Sequence, residues 1–215
     1  MLYLGIDLAW SENNFSALSL IDSNKLIKTK YLKSNSDILN FIEEFKPDKI
    51  GVDAPMEVLN ESGNRDIENQ FLKDFAKYKL GVYPVNISIM DRLYGGCRAC
   101  ELFSKIDSYI LRENLFEVYP HATILKAFTK DKVLPYKRKK GRDTAFIKTQ
   151  LNILQEYISK VIKQFKKYNI DKAKTKELKE IEDKLDSIIC AYTLFLCDKN
   201  GYNSYDNLLL VPKGD

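Results

Sequence analysis

Four aspartates offer chemistry in this sequence. Asp7 stands in Gly5-Ile6-Asp7-Leu8-Ala9-Trp10, where Leu2, Leu4, Ile6 and Leu8 otherwise compose an apolar strand. A carboxylate there is costly unless it finds a partner or moves its pKa. Asp53 closes a second strand-like run, Ile50-Gly51-Val52-Asp53-Ala54-Pro55. Asp183 and Asp186 lie three apart in a helical pattern and project from one face, with Ile181, Leu185, Ile188, Ile189, Tyr192 and Phe195 as the apolar stripe. Oxygen donors without histidine suit Mg²⁺ or Mn²⁺. Two such ions, about 3.5–4 Å apart, orient a water for in-line attack on a phosphodiester and stabilise the leaving oxygen. Plainer readings compete. Asp53 before Ala-Pro closes a strand as an Asx-type turn, and Asp183 and Asp186 form the solvated face of a Lys/Glu-rich helix. Asp7 is the hardest to explain structurally. Asp186 is the stronger of the helix pair, because Ser187-Ile188-Ile189-Cys190-Ala191 follows it.

The positioning elements follow from hydrophobic period and turn residues. Residues 2–9, 15–21 and 26–32 read as strands joined by tight turns at 13–14 and 22–24, an antiparallel meander. A helix capped by Asn35 or Ser36 runs to Phe45 and is stopped by Pro47. Residues 49–53 form a strand apolar enough for a central position. If it neighbours the first strand, Asp7 and Asp53 stand a few ångströms apart. A loop over 54–64, a helix over 66–78, an irregular stretch over 81–96 and a helix over 97–112 follow. Then come a strand over 115–119, helices over 143–168 and 174–198, and an edge strand or extended tail at 208–211. This order predicts one α/β domain over 1–215, with helical insertions before the last helix.

The 215 residues suffice for one substantial core. With 45% hydrophobic and 30% charged residues and a net charge of +4, long disorder is excluded and an anionic partner is compatible but not required. No apolar stretch reaches the roughly 20 residues of a membrane span, and no charged leader precedes the first strand, so the expected address is cytoplasmic. Cys97, Cys100, Cys190 and Cys197 are expected to be reduced. Cys190 and Cys197 lie about 10 Å apart along a helix, too far for one four-cysteine zinc site.

The motifs Gly5-Ile6-Asp7-Leu8-Ala9, Gly51-Val52-Asp53-Ala54-Pro55, Glu117-Val118-Tyr119-Pro120 and residues 183–191 together resemble a predicted-nuclease family with an RNase H fold. That family is catalogued as a domain of unknown function and is distantly related to RuvC-type Holliday-junction resolvases. The resemblance implies an RNase H-like mixed five-stranded sheet with its first three strands antiparallel. It also implies Asp7, Asp53 and Asp186 as metal ligands, with Asp183 as the fourth, and Glu117 as an additional ligand or general base. Ser187 stands where the pattern usually has alanine.

Cations complete the expected site. Residues 126–148 are basic, most densely at Lys137-Arg138-Lys139-Lys140-Gly141-Arg142, where phosphate contacts would give salt-sensitive affinity. Arg65 and Arg98 join them as candidate substrate contacts, although Arg65 reads equally as a helix-entry residue paired with an acid. Tyr136 adds one ring, and His121 is a site neighbour without a partner for zinc. The expectation is a Mg²⁺- or Mn²⁺-dependent phosphodiesterase acting on DNA or RNA, with a homodimer left open. Two alternatives stand beside it: an actin- or sugar-kinase-like phosphate handler, for which only one of two usual copies is present, and a non-catalytic nucleic-acid adaptor.

Overall fold

In the computed structural model, which describes residues 1–214, strands β1 (Leu2–Asp7), β2 (Ser16–Asp22) and β3 (Lys25–Leu32) form the expected meander. Both pairings are antiparallel, with Asp7 opposite Ala17 and Gly5 opposite Ser19. Helix α1 (Asn35–Phe45) then crosses over to β4 (Lys49–Val52), which pairs parallel with β1. A helical crossover is what a parallel neighbour requires. The N-cap is Ser34, not Asn35 or Ser36: its Oγ accepts from the Asp37 N–H at 3.1 Å.

The sheet continues through β5 (Leu115–Val118), parallel to β4, giving the order β3-β2-β1-β4-β5. This is the mixed sheet, antiparallel through its first three strands, that the sequence led us to expect. It is then extended to seven strands by β6 (Tyr202–Tyr205) and β7 (Leu209–Pro212). The closing run is therefore not an edge strand. It is an inner strand, parallel to β5 and antiparallel to β6. β6 itself, Tyr-Asn-Ser-Tyr with Tyr202 and Asn203 exposed, has no apolar alternation to announce it.

Between β4 and β5 lie α2 (Asp66–Phe75), α3 (Ile87–Tyr94) and α4 (Arg98–Phe103). α3 occupies the stretch read as irregular. Asn86 Oδ1 caps it by accepting from the Ile89 N–H at 2.9 Å, and Gly95 ends it at φ 77°. α4 is much shorter than the helix expected over 97–112, because Ser104, Asp107 and Ser108 favour turns and Arg112 adopts φ 72°. Beyond β5, α5 (Pro120–Ile124) leads to α6 (Thr144–Val161), which stops seven residues earlier than expected. There the chain leaves the helix to pair with the β2–β3 turn, Lys163 N–H donating to Asn24 and Leu26 N–H to Lys163.

Helix α7 (Thr175–Asn200) lies across one face of the sheet, with Leu185, Ile188, Ile189 and Cys190 fully buried. Leu151, Leu154 and Ile158 of α6 join that layer, and Ile38, Phe41, Phe71 and Leu102 pack the opposite face. Gly5 sets how closely α7 approaches. A Cβ there would lie 2.0 Å from the Ser187 carbonyl and 2.2 Å from the Ala191 nitrogen. Gly51 is tight to a lesser degree, a Cβ there lying 3.2 Å from the Cys190 carbonyl. The glycines of the two aspartate-bearing strands thus let the helix carrying Asp186 lie directly on them.

Cys97 and Cys100, expected to be reduced, form a disulfide at the start of α4. Cys190 and Cys197 are buried thiols in the α7 layer. Among the described residues no helix is long and apolar enough to cross a membrane.

Candidate metal and phosphate site

The β1–β4 register brings the first two aspartates together. Gly5 pairs with Gly51 and Ile6 with Val52, and the Asp53 N–H donates to the Ile6 carbonyl at 2.8 Å, so Asp7 and Asp53 follow side by side. Parallel neighbours are roughly 4.8 Å apart, close enough for two carboxylates to share a cation. α7 supplies Asp183 and Asp186, which are 5% and 0% exposed. That burial rules out the solvated-face reading of this pair.

The charges act on one another. Burial raises the Asp7 pKa well above the ordinary carboxylate value, and the negative charges of Asp186, Asp183 and Asp53 raise it further, while Lys137 pulls it down. Asp53 is pushed up to about 7, first by burial and then by Asp186 and Glu117, against the pull of Lys137 and Lys179. The four aspartates named from the sequence are therefore within electrostatic reach of one another.

Asp183 and Asp186 are held by groups that the sequence reading did not place there. The Tyr136 hydroxyl donates to Asp186 Oδ1 at 2.6 Å, and Lys137 Nζ donates to Asp186 Oδ2 and lies 3.5 Å from Glu182 Oε1. Tyr31 donates to Asp183 Oδ2 at 3.0 Å, and Lys179 pairs with Asp183 at 2.7 Å and Glu182 at 3.0 Å. Glu182 is a fifth buried acid of this cluster. Its place one turn before Asp186, on the same helix face, was the readable signal. Nothing in a basic run distinguishes the inward Tyr136 and Lys137 from their solvated neighbours. His121 stacks on the Tyr136 ring, centroids 4.7 Å apart, and burial with the nearby Lys137, Lys139 and Arg142 lowers its pKa to about 3. It is neutral there.

Glu117 lines the same cleft and its charge reaches Asp53, but it stands on the other face of the sheet. It pairs in register with Val52, one residue out of step with Asp53, and so shares Val52's face of the sheet. Arg65 clamps it with two bonds of 2.7 and 2.9 Å, and the Met56 N–H donates to it at 2.7 Å. Arg65 also pairs with Glu68 at 2.9 Å. Both residues read as candidates for chemistry are thus occupied with each other, which matches the alternative reading of Arg65 as paired with an acid. Arg98 is 6% exposed and donates to the carbonyls of Ala9 (2.8 Å), Ser11 (3.2 Å) and Lys33 (2.9 Å) and to Asn35 Oδ1 (2.9 Å). Its donors face inward, where they fix the loop that follows Asp7. Arg142 donates to the Pro135 and Lys137 carbonyls. Arg138, Lys139 and Lys140 are exposed.

A cleft of about 1310 Å³ opens over the carboxylates. Asp7 and Asp53 line it together with Trp10 and Tyr83, and Lys77, Lys79, Arg138 and Lys139 contribute positive charge. Among the described residues no group of three or more His, Cys, Asp or Glu side chains is arranged to hold a metal ion. The cation set against Asp186 is Lys137. In donor type the site nonetheless fits a hard divalent ion: carboxylate oxygens only, largely desolvated, already attracting an ammonium.

A mixed α/β sheet flanked by helices, with acids gathered at the ends of β1 and β4, defines the class of this protein. The chain belongs to the family described as "Protein of unknown function (DUF429)", whose family model matches residues 5–195. The resemblance read from the four motifs is thereby borne out. No curated protein matches the chain. Among solved structures it is similar to one described as "Thermus thermophilus RuvC structure", at 9% identity and a TM-score of 0.43 over 93% of this chain and 96% of that one.

Proposed function

We propose that this protein is a divalent-metal-dependent phosphodiesterase that cuts DNA or RNA, with Asp7, Asp53 and Asp186 as its central metal ligands. The observation that carries the reading is that Asp7 and Asp53 stand side by side in the lining of a cleft rimmed with lysine and arginine, with the fully buried Asp186 behind them within electrostatic reach of both. Such a cluster is unfavourable in itself, as the raised Asp7 and Asp53 pKa values record. Groups held in that state point to a use for the charge. Bound Mg²⁺ or Mn²⁺ would supply an activated water and neutralise charge on the leaving oxygen.

The chain's own residues divide the remaining work. Tyr136 fixes the rotamer of Asp186 through Oδ1 and leaves Oδ2 to a cation. Asp183, held by Tyr31 and Lys179, serves as the outer ligand or as support for Asp186. Arg98 fixes the backbone just after Asp7. Glu117 with Arg65 braces the backbone after Asp53 through Met56 N–H, and we assign it a supporting role in place of the general-base role implied by the resemblance. The exposed Arg138, Lys139 and Lys140 meet the phosphate backbone.

The test is a cleavage screen over labelled single strands, duplexes, hybrids and branched DNA with Mg²⁺ or Mn²⁺. Wild type should cut at least one class and Asp7→Asn should not. Equal activity in the two proteins would sink the assignment.

A further inference from the structure

Lys137 is out of place for a substrate-binding residue. Its neighbours Arg138, Lys139 and Lys140 are exposed, yet its ammonium turns inward to Asp186 Oδ2 and lies 3.5 Å from Glu182, with its side chain only 26% exposed. It is also the strongest attractive charge acting on both Asp7 and Asp53. One ammonium thus stands where attraction from at least four carboxylates is shared, which is the electrostatic position of a bound cation. The segment that carries it has no helix or strand from Lys130 to Arg142. It is pinned on either side of Lys137 by the buried Tyr136 and by the Arg142 guanidinium, which holds the Pro135 and Lys137 carbonyls. Rotation about side-chain bonds alone can therefore move the ammonium out into the cleft without refolding the segment.

We infer that Lys137 is a tethered counter-ion of the carboxylate cluster, which a divalent cation displaces on binding and which then turns outward toward the anionic substrate. Without metal, it offsets the mutual repulsion of the acids. With metal, the ion takes over that role, because a divalent charge outcompetes an ammonium for oxygen donors it can contact directly. The released lysine joins Arg138 and Lys139 at the rim, so metal loading and phosphate binding reinforce each other. This inference rests on the metal reading proposed above.

The experiment is calorimetric titration of Mn²⁺ into the full-length wild type, Lys137→Met and Lys137→Arg, without nucleic acid. Removing the competitor should tighten Mn²⁺ binding about ten-fold or more in Lys137→Met, and Lys137→Arg should not gain. Equal, saturable binding in wild type and Lys137→Met overturns the inference and leaves the metal reading standing. No binding in either protein overturns both. Should Lys137→Met fail to fold without metal, the wild type supplies the readout: Mg²⁺ should move the Lys137 Nζ resonance to that of a solvent-exposed lysine. A resonance unmoved at saturating Mg²⁺ overturns the inference.

Discussion

Replacing Gly5 by alanine tests how the sheet and the last helix jointly build the site. The new Cβ would sit 2.0 Å from the Ser187 carbonyl oxygen, 2.2 Å from the Ala191 nitrogen and 2.8 Å from Cys190 Cβ, whereas ordinary contact begins at 3.4 Å. The first two of these are backbone atoms of α7, so no rotamer change relieves the clash. The helix must retreat by more than 1 Å from β1, or β1 must buckle away from β2 and β4. Overpacking of a fixed core costs about 1–3 kcal/mol, and clashes between backbones fall at or above the top of that range. Urea unfolding should accordingly show a loss of about 3 kcal/mol or more. The retreat also carries Asp186 away from Asp7, and a 1 Å misplacement of catalytic groups lowers rates by roughly 100-fold. Among molecules that remain folded at low temperature, Mn²⁺ affinity should fall with the helix displacement. A Gly5→Ala protein within about 0.5 kcal/mol of wild type would show that α7 does not rest on β1 as described.

Three further outcomes follow from particular contacts. Arg98→Ala should destabilise the fold by about 1.5–3 kcal/mol in urea unfolding, because the carbonyls of Ala9, Ser11 and Lys33 lose a charged donor. Amide hydrogen exchange should also show the loop after Asp7 losing protection first. His121, with a folded pKa of about 3 against an ordinary 6.5, stays neutral while the unfolded chain takes up a proton. The stability it contributes is fully present above about pH 6.5 and is lost as pH falls toward 3. Compared with His121→Gln, wild-type stability measured by denaturant should therefore fall more steeply over that window, by up to about 1.4 kcal/mol per pH unit. Changing Arg138, Lys139 and Lys140 together to alanine should weaken oligonucleotide binding uniformly across sequences. The slope of log affinity against log salt, measured by fluorescence anisotropy, should become shallower by about 2 for single strands.

How much of this was legible in the sequence varied with the kind of signal. Asp7 and Asp53 were readable because each interrupts or closes an apolar run, and a strand keeps such a misfit visible through its period of two. The antiparallel meander of β1 to β3 followed from two tight turns, whereas the place of β4 beside β1 was only a condition in the residue pattern and came from the family resemblance. Asp183 and Asp186 were readable as a pair, but their burial was not, since α7 begins as a Lys/Glu-rich helix and changes character only at Leu185. The inward turn of Tyr136 and Lys137 was beyond reach, because it depends on where an irregular segment crosses α7. Arg98 misled for a related reason: its partners are backbone carbonyls, which leave no trace in residue type. Glu117 was noticed through the motif, yet its face of the sheet depends on the β4–β5 register, which no local pattern encodes. β6 was missed because Tyr-Asn-Ser-Tyr buries only Tyr205 and shows no apolar alternation.

The most direct measurement compares Mn²⁺-dependent cleavage rates of wild type, Asp7→Asn, Asp53→Asn, Asp186→Asn and Glu117→Gln on one substrate that wild type cuts, at matched folded fraction. The three aspartate variants should each lose at least about 100-fold, the loss that 1 Å of misplacement alone can cause. Glu117→Gln, on the Arg65 side of the sheet, should keep measurable cleavage and lose mainly stability. If the aspartate variants cut at the wild-type rate, or Glu117→Gln alone is inactive, the carboxylate site described here is not where phosphodiester bonds are broken.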